Sequence, residues 1–202
     1  GSITALQQSC QPIGKLLIQG AVNPLGVDTI AAFNAVNRID DYAFTPEQSI
    51  SHGITTFVAQ NRGAGKTQRI RAGLRRGLTL EFCYWVFICL TVTAFRRPLM
   101  GLFVTEGDEA IVGLGSGYLA MMAVFYIFPA FTNGMQGFFR GMGNMSITLL
   151  GTFIQTSLRV IFAYLLTPRL GLPGVAFACA VGWSFMLLVE IPYYFWFMRK
   201  HR

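Results

Sequence analysis

The chain has 202 residues, enough for one soluble domain or for about five to six membrane-spanning helices. Only 12% of the residues are charged, against roughly 25% in ordinary soluble domains, and 53% are hydrophobic. A soluble domain of this size could not hide that much apolar surface, so the composition excludes disorder, collagen, a disulfide scaffold and a nucleic-acid module, and points to an integral membrane protein.

Six apolar segments follow in chain order. The first runs about Thr4–Val22 and ends at the turn Asn23-Pro24-Leu25-Gly26. The second covers about Thr29–Asn61, with Pro46 near its middle. A basic polar segment follows, holding Arg62, Lys66, Arg69, Arg71, Arg75 and Arg76. The third covers about Leu74–Phe95 and stops at Arg96-Arg97-Pro98. A polar stretch from Thr105 to Glu109 precedes the fourth, about Ala110–Gly141. The fifth is about Ser146–Leu166, ended by Pro168 and Gly171, and the sixth about Pro173–Met198. Each is long enough to cross a hydrocarbon core of about 30 Å, so the expected fold is an all-α membrane protein with six transmembrane helices.

The net charge of +7 is distributed by position. The basic segment, Arg140 and the terminal Arg199, Lys200 and Arg202 fall on one side of a six-span topology, leaving Arg96, Arg97 and Arg169 on the other. The richer side is the cytoplasmic one, and both chain ends lie there. The four cysteines, Cys10, Cys83, Cys89 and Cys179, sit in apolar surroundings without metal-ligand spacing and read as reduced thiols. Gly1-Ser2 in place of an initiator Met reads as a fragment start or an added pair, and no signal peptide is read before the first segment. Residues 1–202 are taken as one domain.

The segments are not equally apolar. The first carries Gln7, Gln8, Gln11, Lys15 and Gln19; the second carries Asn34, Asn37, Arg38, Asp40, Asp41, Glu47, Gln48 and His52. Each unpaired charge facing lipid at mid-bilayer costs about 2.5–3.5 kcal/mol on insertion scales, so these side chains must face protein or a water-filled cavity. A polar cavity in a helical bundle is the signature of a solute pathway. Asp40 and Asp41 lie one turn after Asn37, and Pro46 frees carbonyls near Tyr42. Carboxylates beside freed carbonyls can hold a proton or a Na⁺ ion. Asp41 could be neutralised by Arg38, three residues before it, whereas Asp40 points about 100° away on the helix; Lys15 could counter Asp40 or Asp41 across the cavity, or snorkel. Glu47, just after Pro46, suits the start of the second half of the helix. Tyr42, Phe44, Tyr126 and Phe131 are candidates to line the cavity for planar cations. Arg159 is expected to pair with Glu190, and Glu81 to sit at the membrane interface.

Two enzyme-like signals fail. Gly63-Ala64-Gly65-Lys66-Thr67 resembles the end of a phosphate loop, but the earlier glycine is replaced by Gln60 and a helix, not a strand, precedes it. An intramembrane protease needs separated aspartates or a Ser–His or Ser–Lys pair. Here Asp40 and Asp41 adjoin, and Ser116 has no intramembrane histidine near it in sequence. No cofactor is called for, and the chain is read as a non-enzyme. Gly137 and Gly141 make a GxxxG step suited to close helix packing.

Ala59-Gln60-Asn61-Arg62-Gly63-Ala64-Gly65, Arg140-Gly141-Met142-Gly143-Asn144, and Ser157-Leu158-Arg159 ahead of Ala163-Tyr164-Leu165-Leu166 together resemble the multidrug and toxic compound extrusion (MATE) transporters, over essentially the whole chain. The resemblance implies one lobe of a twelve-helix, two-lobe transporter, the C-terminal one, partnered by an N-terminal lobe in the bacterial inner membrane. It implies export of small organic cations in exchange for H⁺ or Na⁺ by alternating access. Some branches carry acids in the seventh and tenth helices. Here those stretches show Gln11 and the region 129–133, and the acids lie in the eighth. Asp40, Asp41 and Glu47 are therefore the expected ion-coupling residues. Gln7, Gln8, Gln11, Lys15, Asn37, Arg38, Tyr42 and Tyr126 are the expected cavity wall. A lipid-linked precursor flippase of the same superfamily is the alternative, for which several cavity arginines would be expected.

Overall fold

In the computed structural model, which describes residues 1–104 and 108–201, the described residues form eight α-helices and one short 3-10 turn. Thr105, Glu106 and Gly107 of the expected polar stretch, and Arg202 of the terminal basic cluster, lie outside the described residues. Helix α1 (Ser2–Val22) gives way to the 3-10 turn Asn23–Leu25 and then α2 (Val27–Gly63). At 37 residues, α2 runs unbroken through Pro46. Gly65, with φ +70°, turns the chain into α3 (Thr67–Ala94). The basic residues expected in a loop, Arg69 to Arg76, are thus helical, because nothing after Lys66 breaks the helix.

A short helix α4 (Arg96–Phe103) follows, where Arg96-Arg97-Pro98 had suggested only a stop. Pro98 lies in its first turn, where a missing N–H costs nothing. Helices α5 (Glu109–Phe125) and α6 (Ile127–Gly141) divide the fourth expected segment, bent by 42°. Pro129 supplies the cause: it has no N–H for the carbonyl of Phe125. Helix α7 (Met145–Leu170) is capped by the Asn144 side chain, which accepts from the Ile147 N–H, and carries on past Pro168 to Gly171. Helix α8 (Leu172–Lys200) ends on Arg199 and Lys200, whose charges suit a helix C-terminus.

The expectation of six transmembrane helices is corrected. Three described helices, α3, α7 and α8, are long and apolar enough to cross a membrane, and four if α5 and α6 make one bent span. Helices α1 and α2 have sufficient length, but their glutamines, asparagines and charges remove the apolar stretch that a lipid-facing span requires. The chain is a multi-pass membrane protein. Large apolar side chains stand exposed along α3 (Phe82, Phe87, Leu90), α7 (Phe153, Leu165) and α8 (Leu188, Phe195), the surface expected where lipid replaces water.

Two apolar clusters hold the bundle. One joins α2, α5 and α8 through Phe33, Val36, Leu119, Met122 and Ala176; the other joins α2, α3, α6 and α8 through Ile54, Val58, Leu74, Phe138 and Phe197. Helix α1 packs on α7, and α7 on α8, while α2 packs on α3, α5 and α6. Neighbours in sequence, α1 and α2 barely touch. That divergence leaves room for a cavity between them.

Candidate functional site: a polar cavity between the helices

The cavity has a volume of about 500 Å³. Helix α1 contributes Gln7, Gln8, Gln11 and Lys15. Helix α2 contributes Asn37, Asp40, Asp41, Phe44, Gln48 and His52. Helix α6 adds Thr132, Asn133, Gln136 and Arg140; α7 adds Thr152, Gln155 and Arg159; α8 adds Cys179, Trp183 and Met186. A volume of this size suits a drug-sized solute.

Asp40 is buried, and the hydroxyl of Tyr126 donates to its Oδ1. Tyr126 caps α5 at the bend, so the break next to Pro129 is what brings this phenol against α2. Asp41 is exposed and meets Lys15 Nζ at 3.5 Å, an open ion pair of the kind worth little. On the α1–α7 side, Gln7 Nε2 and Gln136 Nε2 each donate to Thr152 Oγ1 at 3.1 Å, and Gln11 Nε2 donates to Gln155 Oε1 at 3.2 Å. On the α2–α6 side, Arg140 Nη2 donates to Ser51 Oγ at 2.7 Å, and Ser51 Oγ donates to the Asn133 carbonyl at 2.6 Å.

Of the expected wall residues, Gln7, Gln8, Gln11, Lys15 and Asn37 line the cavity, whereas Arg38, Tyr42 and Tyr126 do not. Arg38 and Tyr42 stand on the exposed face of α2, and Tyr42 rests against Phe103 with ring centroids 6.4 Å apart. Tyr126 is wholly buried behind Asp40. Phe44 reaches the cavity with its ring edge-on to Tyr126 and Trp183; Phe131 does not.

Among the expected ion-coupling residues, Asp40 and Asp41 share the wall, but Glu47 lies off it. The Glu47 side chain is fully buried where α2 meets α3 and α6. Its Oε2 accepts from Asn133 Nδ2 at 3.5 Å, while Oε1 has no partner among the described residues. Glu81 is likewise fully buried rather than interfacial, with both carboxyl oxygens unpartnered among the described residues. The expected Arg159–Glu190 pair does not form among the described residues. Arg159 turns to the cavity and Glu190 Oε1 to the space beside Gly151.

Sequence reading missed Thr132, Asn133, Gln136, Arg140, Thr152, Gln155 and Arg159 as one surface. The signal was present as polar residues spaced three or four apart on two otherwise apolar helices. Among the described residues, no group of three or more His, Cys, Asp or Glu side chains is placed to hold a metal ion.

A helical membrane bundle around a polar cavity has the architecture of a carrier. The MatE family model matches residues 4–165, most of the chain, and the chain belongs to that family. The chain is 26% identical over 182 residues to the probable multidrug resistance protein YpnP of Bacillus subtilis, covering 90% of this chain and 40% of that protein. It is 25% identical over 149 residues to an FAD transporter of Shewanella oneidensis, covering 72% of this chain and 32% of that one. The chain thus spans about two fifths or less of the length of these curated relatives. A solved outward-facing multidrug resistance MATE transporter of the MOP superfamily superposes with a TM-score of 0.91 at 19% identity, over 100% of this chain and 46% of that one.

Proposed function

We propose that this chain is the C-terminal lobe of a two-lobe secondary antiporter of the bacterial inner membrane, exporting organic cations or drugs in exchange for H⁺ or Na⁺. The observation that carries the reading is Asp40, a buried carboxylate on the wall of a drug-sized polar cavity. In the proposed cycle the coupling ion and the cationic cargo compete for the Asp40 carboxylate, so each favours a different state of the cavity. Asp41, one residue on, pairs with Lys15 and so keeps that cation from neutralising Asp40. Glu47 supports from behind through Asn133, a residue that also lines the cavity. The glutamines of α1 and Asn37 offer hydrogen bonds to the cargo, and Phe44 and Trp183 offer aromatic faces. The lobe's open side is closed by an N-terminal lobe.

The test is efflux of a fluorescent lipophilic cation from proteoliposomes holding the chain together with its second lobe. An imposed inward H⁺ or Na⁺ gradient should accelerate efflux at least several-fold, and collapsing that gradient should abolish the gain. Efflux indifferent to both gradients would contradict the reading.

A second reading, a carrier of anionic cargo such as a lipid-linked precursor, gains support from Arg140 and Arg159 on the cavity wall and from the named cargo of the Shewanella relative. Translocation of a labelled lipid pyrophosphate by the same proteoliposomes, with no cation efflux, would favour it.

A further inference from the structure

Away from the cavity, positive charge gathers at one end of the bundle. The first turns of α3 carry Arg69, Arg71, Arg75 and Arg76, and α8 ends on Arg199 and Lys200. Ile70 and Leu74 of α3 share an apolar cluster with Phe197 of α8, so both groups of charge lie at the same end. No acid occurs between Glu47 and Glu81 or after Glu190, and these three carboxyls are fully buried. None of the cations at this end forms an ion pair among the described residues, whereas Arg97, beyond the far end of α3, meets Glu109 at 3.2 Å.

Within this end, Arg71 and Arg75 have a distinct setting. They lie one turn apart on the side of α3 that looks toward α8, both within electrostatic reach of the Tyr194 hydroxyl. Like charges at that spacing repel along a helix, and an anion between them removes the repulsion. Arg71 and Tyr194 are half-buried, and the Tyr194 ring is held edge-on to Phe138 of α6 with centroids 5.0 Å apart. The Tyr193 hydroxyl accepts from Asn144 Nδ2 at 2.6 Å, but that of Tyr194 has no hydrogen-bond partner among the described residues. The stripe of Arg71 and Arg75 continues deeper along α3 as Leu78 and Phe82, and Tyr194 is followed along α8 by Ile191; Phe82 and Ile191 are both 42% exposed.

We propose that this groove between α3 and α8 binds an anionic glycerophospholipid, its headgroup phosphate held by Arg71, Arg75 and Tyr194 and its acyl chains laid along Leu78, Phe82 and Ile191. Guanidiniums and a phenol hydroxyl above an apolar stripe match the two halves of one such molecule. A soluble anion would leave the stripe uncovered, and a zwitterionic lipid would bring its own cation against the arginines.

The test is native mass spectrometry of the detergent-solubilised chain with its second lobe, titrated with phosphatidylglycerol or with phosphatidylcholine of identical acyl chains. Neither cargo nor ion gradient is present, so the result is independent of the export reading. Phosphatidylglycerol should bind at least tenfold more tightly, as expected for two headgroup-facing cations worth several-fold each. Arg71→Gln with Arg75→Gln should bring that ratio to within about twofold. Arg69→Gln with Arg76→Gln removes the same charge from the other side of α3, where Arg69 lies 6.0 Å over the Phe57 ring, and should keep the preference. Millimolar inorganic phosphate should not displace the lipid. Equal binding of the two lipids by the wild type, which needs no variant to fold, overturns the proposal. Equal losses in the two double variants, or displacement by phosphate, overturn it as well.

Discussion

Asp40→Asn is expected to bring ion-driven cation efflux down to the gradient-independent leak while the bundle stays folded. Asparagine has nearly the volume of aspartate and keeps an oxygen to accept the Tyr126 hydroxyl, so the contact between α2 and the bend at Tyr126 survives. The change in stability should stay within about 1.5 kcal/mol, the net worth of one such hydrogen bond. What disappears is a carboxylate that can bind a proton or a cation, and with it any competition between coupling ion and cargo. Asp41→Asn should cost less, because Asp41 is exposed and already neutralised by Lys15 in a weak pair. Efflux rates in proteoliposomes, together with thermal unfolding of the same preparations, separate loss of coupling from loss of fold. Unchanged gradient-driven efflux in Asp40→Asn would remove the residue from the mechanism.

The second large effect concerns the α2–α6 contact. A Cβ at Gly137 would lie 2.5 Å from the backbone carbonyl oxygen of Ser51, and one at Gly141 would lie 2.8 Å from that of Thr55. The two backbones are also stitched by side chains: Ser51 donates to the Asn133 carbonyl at 2.6 Å, and Thr55 to the Gly137 carbonyl at 2.8 Å. Gly137→Val cannot be absorbed by a rotamer change, since the obstruction is backbone. The helices must separate, at about 1–3 kcal/mol for overpacking and about 0.5–1.5 kcal/mol for each bond lost. We expect a destabilisation of about 3 kcal/mol or more, seen as a clear fall in Tm. Gly134→Ala is the control: the one close approach of its Cβ would be to the flexible end of Leu78, at 2.5 Å, so its stability should change by about 1 kcal/mol or less. Equal Tm values for Gly137→Val and the wild type would show that the helices do not approach this closely.

Much of the helical order was legible in the sequence, because apolar runs and turn residues such as Asn23-Pro24 and Gly171 are local signals. The number of crossings was not. Length alone admitted α1 and α2, but Gln7, Gln11, Asn37 and Asp40 belong to helices that need protein or water beside them. The bend in the fourth segment was missed because Pro129 reads the same whether it kinks a helix or is tolerated within one.

At the site, helical periodicity decides what composition could not. Asn37, Asp41, Phe44, Gln48 and His52 follow one another at three- and four-residue steps and share the cavity face. Arg38 and Tyr42, four apart from each other, lie about 100° further round the helix on an exposed face. The same spacing in Thr152, Gln155 and Arg159, and in Thr132, Gln136 and Arg140, builds the far wall. Only packing reveals that these stripes face the first one, and that is where the cavity's arginines come from.

The most direct measurement is cysteine accessibility at Asn37, which lines the cavity one turn before Asp40 and Asp41. With Cys10, Cys83, Cys89 and Cys179 replaced, Asn37→Cys in native membranes should react with a small charged thiosulfonate, resist a maleimide carried on a bulky polymer, and be protected by a bound cargo cation. Lys66→Cys, in the exposed α2–α3 turn, should react with both reagents and gain no protection. If Asn37→Cys behaves as Lys66→Cys does, or reacts with neither reagent, the acidic face of α2 does not look into an enclosed wet cavity and the account is wrong.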